Sequence, residues 1–307
     1  MHDGEIQGIR AMLNSKPRPV GWAERRARLD EVGAFWPPAE DIECHAVDCG
    51  GVEGEWSISP GVDPARVLMY FHGGGYCSGS IVSHRRLVTE AGRAACVRTL
   101  SIKYRLAPEN PFPAAQQDAL AAWRYLHRQG VPPASIAVAG DSAGANLALA
   151  LVTHLRESGE ELPRCMWLLS PWTDLTMSGA TLASKDGEDP LIHKAYLAEL
   201  ADSYAPPPVD RKNPLISPLF ADLSGFPPML IQVGSAETLL DDATRLATAA
   251  GEAGVAVTLE IWPQMIHAFP VWNAGLEDGR KALQRAGEFM GRYFAVDTNS
   301  PTPGDGS

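Results

Sequence analysis

The stretch Gly140-Asp141-Ser142-Ala143-Gly144 reads G-x-S-x-G. In that pattern small residues flank a serine on a sharp strand-to-helix turn, which lifts the hydroxyl above a sheet edge where it can attack a carbonyl. A chain of this composition produces the pattern by chance roughly one time in six, so its surroundings decide. Residues 135–139 form an apolar run suited to a strand, and residues 143–155 carry a helical pattern. The start of that helix favours developing negative charge. The bland alternative is a glycine-rich turn with an incidental serine.

His72-Gly73-Gly74-Gly75 follows another apolar run, residues 66–71. Glycines let backbone N–H groups point into a cavity with no side chain in the way. Aimed at a tetrahedral intermediate, such donors form an oxyanion hole. A phosphate cradle is the competing use, but neither G-x-x-x-x-G-K-[ST] nor G-x-G-x-x-G is present here. His72 itself is expected to brace the loop. Cys77, two residues past Gly75, is close enough for a bulky thiol reagent to obstruct the site, although an inert buried thiol is the plainer reading.

A serine is a weak nucleophile and needs a base within hydrogen-bond reach. Where the chain order is Ser, then acid, then His, only His154, His193 and His267 follow Ser142. His154 falls on the helix after the serine and His193 in an insertion, which leaves His267, after the last strand, as the base. The acid should hang from a strand end and accept the second imidazole N–H. Glu237 is favoured, with Asp174 one strand earlier and Asp241 on the next helix as alternatives. The losers would cap helices or brace loops.

These groups need a sheet to carry them. Candidate strands are residues 42–47, 52–57, 66–71, 98–104, 135–139, 165–169, 229–233 and 256–262. Helical patterns lie near 83–96, 114–129, 143–157, 238–252 and 275–294. Such alternation implies an α/β fold with a mostly parallel central sheet of about eight strands, covered by helices on both faces. The first two runs alternate polar and apolar residues, as antiparallel edge strands do. Two regions break the rhythm. Residues 1–40 look like short helices, with Ile6, Ile9 and Leu13 at helical spacing, and residues 175–225 hold one helical piece, 192–204, between loop-rich flanks. Both are expected to form a helical cap over the carboxyl edge of a catalytic domain made of residues 41–174 and 226–297. Trp22, Phe35, Trp36 and Tyr204 could line a pocket there or simply pack. The tail, residues 298–307, reads as disordered.

Composition narrows the function. The 307 residues are 45% hydrophobic and 21% charged, an ordinary globular balance. A net charge of −11 disfavours a nucleic-acid partner. Five cysteines, an odd number without a C-x-x-C pair, argue against a disulfide framework or a zinc ribbon. Residues 1–13 lack the basic start and apolar run of a secretory signal, and no stretch is long enough to suggest a membrane span. The expectation is a cytoplasmic enzyme with no cofactor, no metal and no membrane partner.

The sequence resembles the hormone-sensitive-lipase-like (bacterial family IV) carboxylesterases of the α/β-hydrolase superfamily over about residues 40–294. The resemblance rests on His72-Gly-Gly-Gly-Tyr76, Tyr104-Arg-Leu-Ala-Pro-Glu109, Phe112-Pro-Ala-Ala115, Gly140-Asp-Ser-Ala-Gly144 and Ser170-Pro-Trp172. It implies the α/β-hydrolase fold, a cap built from the N-terminus plus an insertion, and an oxyanion hole from the N–H groups of Gly74, Gly75 and Ala143. Two departures stand out. The family's Asp-x-Leu-x-Asp loop is Glu237-Thr-Leu-Leu-Asp241, and its His-Gly-Phe is His267-Ala268-Phe269. The function expected is a serine carboxylesterase acting on small-molecule short- to medium-chain esters through an acyl-enzyme, with Ser142, Glu237 and His267 as its triad. A monoterpene-lactone type of hydrolase using the same triad is the alternative. A non-catalytic small-molecule-binding relative is disfavoured because serine, histidine and acid are all present, and homo-oligomerisation is left open.

Overall fold

Apolar runs without alternation suit strands covered on both faces, and four of the eight strands are of that kind. The computed structural model describes residues 2–295. Helices α1 (His2–Asn14) and α2 (Trp22–Phe35) precede strands β1 (Glu43–Asp48), β2 (Glu53–Ile58) and β3 (Asp63–Phe71). Then follow α3 (Ile81–Ala95), β4 (Val97–Ile102), α4 (Ala114–Arg128), β5 (Ile136–Asp141), α5 (Ala143–Glu157) and β6 (Cys165–Leu169). A long excursion holds α6 (Thr181–Ser184) and α7 (Lys194–Tyr204) before β7 (Met229–Gly234), α8 (Leu240–Glu252), β8 (Val257–Trp262) and α9 (Glu277–Ala295). The chain after residue 295, including the tail expected to be disordered, lies outside the described residues.

All eight strands join one sheet in the order β1-β2-β4-β3-β5-β6-β7-β8. Every pairing from β4 to β8 is parallel, and β2 alone runs against its neighbours. Alternate residues divide between two cores. Val67, Met69, Phe71, Ile136, Val138, Met166, Leu168 and Ile231 face the core shared with α4, α5 and α8. Leu68, Tyr70, Ala137, Ala139, Trp167 and Leu230 face the one shared with α3 and α9. With both faces buried, neither parity of a strand can be polar, hence the unbroken apolar runs.

One expectation needs correction. The alternation in β2 suggested an edge strand, yet β2 lies between β1 and β4. Its alternation reflects half-cover: Trp56 packs on the core with the Arg98 guanidinium over its ring, 4.3 Å from the centre. Only β1 has the exposed pattern of an edge on that side.

The strand order reverses at β3. The connection from β3 runs outward to β4, while β4 returns across β3 to β5. A crevice opens at the carboxyl ends of strands where the order reverses, and ligands of such sheets bind there. Phe71 pairs with Gly140, so the residues that leave these two strands, His72 and Ser142, emerge side by side.

The helical stripe expected at the N-terminus exists. Ile6 is fully buried against Met265, Ile266, Phe269 and Trp272, with Ile9 and Leu13 packed beside it. Thus α1 buttresses the loop that follows β8. Among the described residues, no helix is long and apolar enough to cross a membrane.

Ile6→Ala should lower the unfolding free energy by about 2–4 kcal/mol in denaturant titration, the usual cost of truncating a buried isoleucine. Ile9→Ala, only partly buried, should cost clearly less.

Candidate active site

Close backbone packing shapes the turn that carries Ser142. A Cβ on Gly140 would lie 2.4 Å from the Gly144 carbonyl carbon, and one on Gly144 2.0 Å from the Phe71 carbonyl oxygen. Only glycine fits either place, so α5 starts directly against β3. Ser142 sits between them at φ 55°, ψ −120°, where a side chain is unfavourable. Its N–H donates to Leu169 O at 2.9 Å, and its carbonyl accepts from Trp172 N and Asn146 N, both at 3.2 Å.

The neighbouring glycine loop is equally constrained. Gly74 has φ 114°, and a Cβ there would lie 2.3 Å from Ser78 O. A Cβ on Gly75 would meet Leu200 Cδ1 of α7 at 2.4 Å. Neither Gly74 N–H, Gly75 N–H nor Ala143 N–H donates to another described residue, and α5 begins at Ala143. These are three free donors near one serine.

His267 follows β8 and Glu237 follows β7. A Cβ on Gly234 would lie 2.1 Å from Met265 O, so the two loops touch backbone to backbone. His267 Nδ1 lies 3.2 Å from Glu237 Oε1. Glu237 is fully buried, and its Oε2 accepts from Ser170 Oγ and Gly234 N, each at 2.8 Å. Ser170 Oγ in turn accepts from Ala268 N at 3.0 Å. Leu169 and Ser170 therefore bridge the serine turn to the His–Glu pair. The Ser142 hydroxyl and the imidazole make no hydrogen bond with each other here. Burial pulls the His267 imidazole down, but the Glu237 hydrogen bond and charge outweigh it and hold it above its ordinary 6.5.

The two alternative acids lie elsewhere. Asp174 accepts from Thr176 N at 2.9 Å and Arg245 Nη1 at 3.1 Å. Asp241 accepts from Ala180 N at 2.8 Å and pairs with Arg245. Both fasten loops around α8. His154 and His193 also stand apart; His193 caps α7 by accepting from Tyr196 N.

His72 does brace its loop, by a 2.8 Å contact from Nδ1 to Gly73 O and by stacking on Tyr104, ring centres 4.3 Å apart. Burial pushes its imidazole down to about 4. The aromatics singled out from the sequence mostly pack: Tyr204 is buried and stacked on Tyr76 at 3.7 Å, Trp22 lies under Arg25, and Phe35 is 70% exposed.

Three polar residues escaped the sequence reading. Ser170 was quoted only as part of a motif. Asn146, fully buried, accepts from Tyr76 OH at 2.7 Å and donates to Trp172 O and Ile216 O. Its place one turn past the serine was the available signal. Asp189, in the excursion, accepts from Leu191 N at 2.9 Å and from Thr238 N at 3.3 Å, next to Glu237. Burial pushes it up to about 6, against the pull of the His267 imidazole. No local pattern marks Asp189, because its neighbours come from distant sequence. Among the described residues, no group of three or more His, Cys, Asp or Glu is arranged to hold a metal ion.

Residues 68–271 match the family described as the α/β hydrolase fold. The chain is 41% identical over 275 residues to an acetyl-hydrolase of Streptomyces hygroscopicus, covering 90% of this chain and 89% of that one. It is 34% identical over 279 residues to an esterase of Acinetobacter venetianus, covering 91% and 90%. A solved structure of an esterase from the bacterial hormone-sensitive lipase family superposes with a TM-score of 0.91 at 39% identity, over 95% of this chain and 98% of that one.

Cys77 is buried with its Sγ 4.0 Å from Leu200 O, and burial pushes its thiol up to about 12. Both features favour the inert reading. Iodoacetamide at neutral pH should label the exposed Cys44 and Cys96 and leave Cys77 unmodified by mass spectrometry.

Proposed function

The chain belongs to the α/β-hydrolase family and, within it, to the bacterial hormone-sensitive-lipase-like carboxylesterases, and from that premise we propose that it cleaves its esters through an acyl-enzyme on Ser142. That it is a carboxylic-ester hydrolase follows from the same relatives. The observation that carries the mechanism is the contact between His267 Nδ1 and the buried Glu237 carboxylate. A carboxylate can only accept, so Nδ1 keeps its proton and Nε2 is left basic.

The steps follow from that tautomer. Nε2 takes the Ser142 proton as Oγ attacks the ester carbonyl carbon, and the resulting imidazolium is stabilised by Glu237. The serine–histidine hydrogen bond forms as substrate enters, since such bonds are often long in empty sites. The tetrahedral oxyanion accepts from the N–H groups of Gly74, Gly75 and Ala143, the three unengaged donors beside the serine. Collapse expels the alcohol, protonated by His267. Water, deprotonated by the same nitrogen, then releases the acid and restores Ser142.

We assign residues 1–40 and 175–225 to a cap over this site. The support is that Leu200 packs on Gly75, Arg26 donates to Cys77 O and Ala107 O at 2.9 Å each, and α1 backs the His267 loop. Substrates are short- to medium-chain esters of small molecules. The acetyl-hydrolase among the relatives supports the short end of that range.

Ser142→Ala should lose several orders of magnitude in kcat on p-nitrophenyl acetate, and an organophosphonate should modify Ser142 in the unaltered enzyme. Glu237→Gln should cost about 10⁴ in kcat, the scale of the acid-to-amide change in serine proteases. Asp174→Asn should cost only about tenfold, through misplacement; if it proves the more damaging change, the acid is misassigned.

The pH profile tests the base. His267 is held above 6.5 by Glu237, and it works in the neutral form. Protonation below that raised pKa removes the base, so kcat/KM should fall as pH drops through a value above 6.5. An acid limb centred below 6.5 would contradict the assignment.

A further inference from the structure

The residue between Gly140 and the serine has a side chain that the reaction scheme above does not use. Asp141 is 3% exposed. Its Oδ1 accepts from Gly73 N and from Tyr70 OH, each at 2.8 Å. Its Oδ2 faces His84 Nε2 at 3.3 Å, and the other ring nitrogen of His84 lies 2.8 Å from Ser83 Oγ. The fit is close enough that a Cβ on Gly73 would lie 2.1 Å from Asp141 Oδ2.

We propose that Asp141 is a positioning residue, a carboxylate strut that sets the distance between the nucleophile turn and the oxyanion loop. Its backbone leads directly into Ser142, and its side chain holds the N–H of the residue directly before Gly74. One side chain thus links the attacking atom to the donors that receive the resulting charge. Tyr104 OH supports the same loop from behind, donating to His72 O at 2.7 Å.

The strut is charged. Burial alone would push Asp141 up, but the His84 charge and hydrogen bond, with Tyr70, hold it below the usual carboxylate range. Burial likewise pulls His84 down, and Asp141 outweighs it, raising the imidazole. A hydrogen bond to an ionised acceptor is shorter and about twice as strong as a neutral one. Such a bond suits a strut, because the oxyanion donors stabilise charge only if they stay at hydrogen-bond distance from where the oxygen will be. A displacement of about 1 Å can cost a hundredfold in rate.

This inference rests on the serine and oxyanion-hole reading above. The test measures p-nitrophenyl acetate turnover by Asp141→Asn and Asp141→Ala, with active sites counted by organophosphonate titration. Per active site, Asp141→Ala should lose about 10² in kcat, the scale of losing one oxyanion donor. Asp141→Asn keeps an acceptor for Gly73 but loses the charge, and should recover to about tenfold below the unaltered enzyme. KM should stay within about threefold for both, because the loss falls on the transition state. Asp141→Asn also decides the matter should Asp141→Ala fail to fold. A per-site kcat within about twofold of the unaltered enzyme in Asp141→Asn, or a lowered count of active sites with normal turnover, overturns the strut. Failure of the unaltered enzyme to take up organophosphonate at Ser142 would instead overturn the serine reading beneath it.

Discussion

Backbone meets backbone where α5 crosses the end of β3, and the rest of the site is placed relative to that contact. Gly144 has no side chain to separate the helix from the Phe71 and His72 carbonyls, and Gly140 has none to separate the end of β5 from the first turn of that helix. The helix can therefore start within one residue of the strand, which forces Ser142 into positive φ. A non-glycine residue held there costs about 1–3 kcal/mol. Hydrogen bonds from Ser142 N to Leu169 O, and from Trp172 N and Asn146 N to Ser142 O, offset that cost. The strained turn is thus held from β6 and from its own helix, and it cannot relax without breaking both.

Buried carboxylates connect the segments around this turn. Taking a charge out of water is costly unless it is paired and hydrogen-bonded, so each buried acid collects donors, and the donors come from different parts of the chain. Glu237 joins the loops after β6, β7 and β8. Asp141 joins the serine turn to the glycine loop and α3. Asp242 accepts from Thr173 N at 2.8 Å and Asp174 N at 3.0 Å, tying α8 to the start of the excursion, and burial pushes it up to about 7. The same electrostatic demand that stabilises the fold therefore brings the functional groups to one sheet edge.

The excursion between β6 and β7 approaches the site through apolar contact. Tyr204 stacks on Tyr76, Leu200 lies on Gly75, and Arg25 spans Trp22 and Tyr196 while pairing with Glu199 at 2.9 Å. Helix α2 has no fully buried residue; it is held by Arg25 and Arg26 together with Trp22 and Val32, which pack on the cores, and by Gly33, which lies against the backbone of α3. These contacts make the glycine loop a shared surface between the sheet and the segments that cover it.

Much of this was legible in the residues alone. Strands buried on both faces leave unbroken apolar runs, so β3, β5, β6 and β7 could be read to within three residues. Glycine spacing around Ser142 follows from local sterics, and the order of Ser142, Glu237 and His267 follows from which strand each residue leaves. Local chemistry is written in local sequence. The pairing of Asp174 with Arg245 was not legible, because α8 brings that guanidinium to it only after folding. The interior position of β2, the clamp of Asp189 on the acid loop and the reach of Asp141 to Gly73 are of the same kind. Each is a contact between residues far apart in the chain, set by strand order and register, and no property of either residue by itself announces its partner.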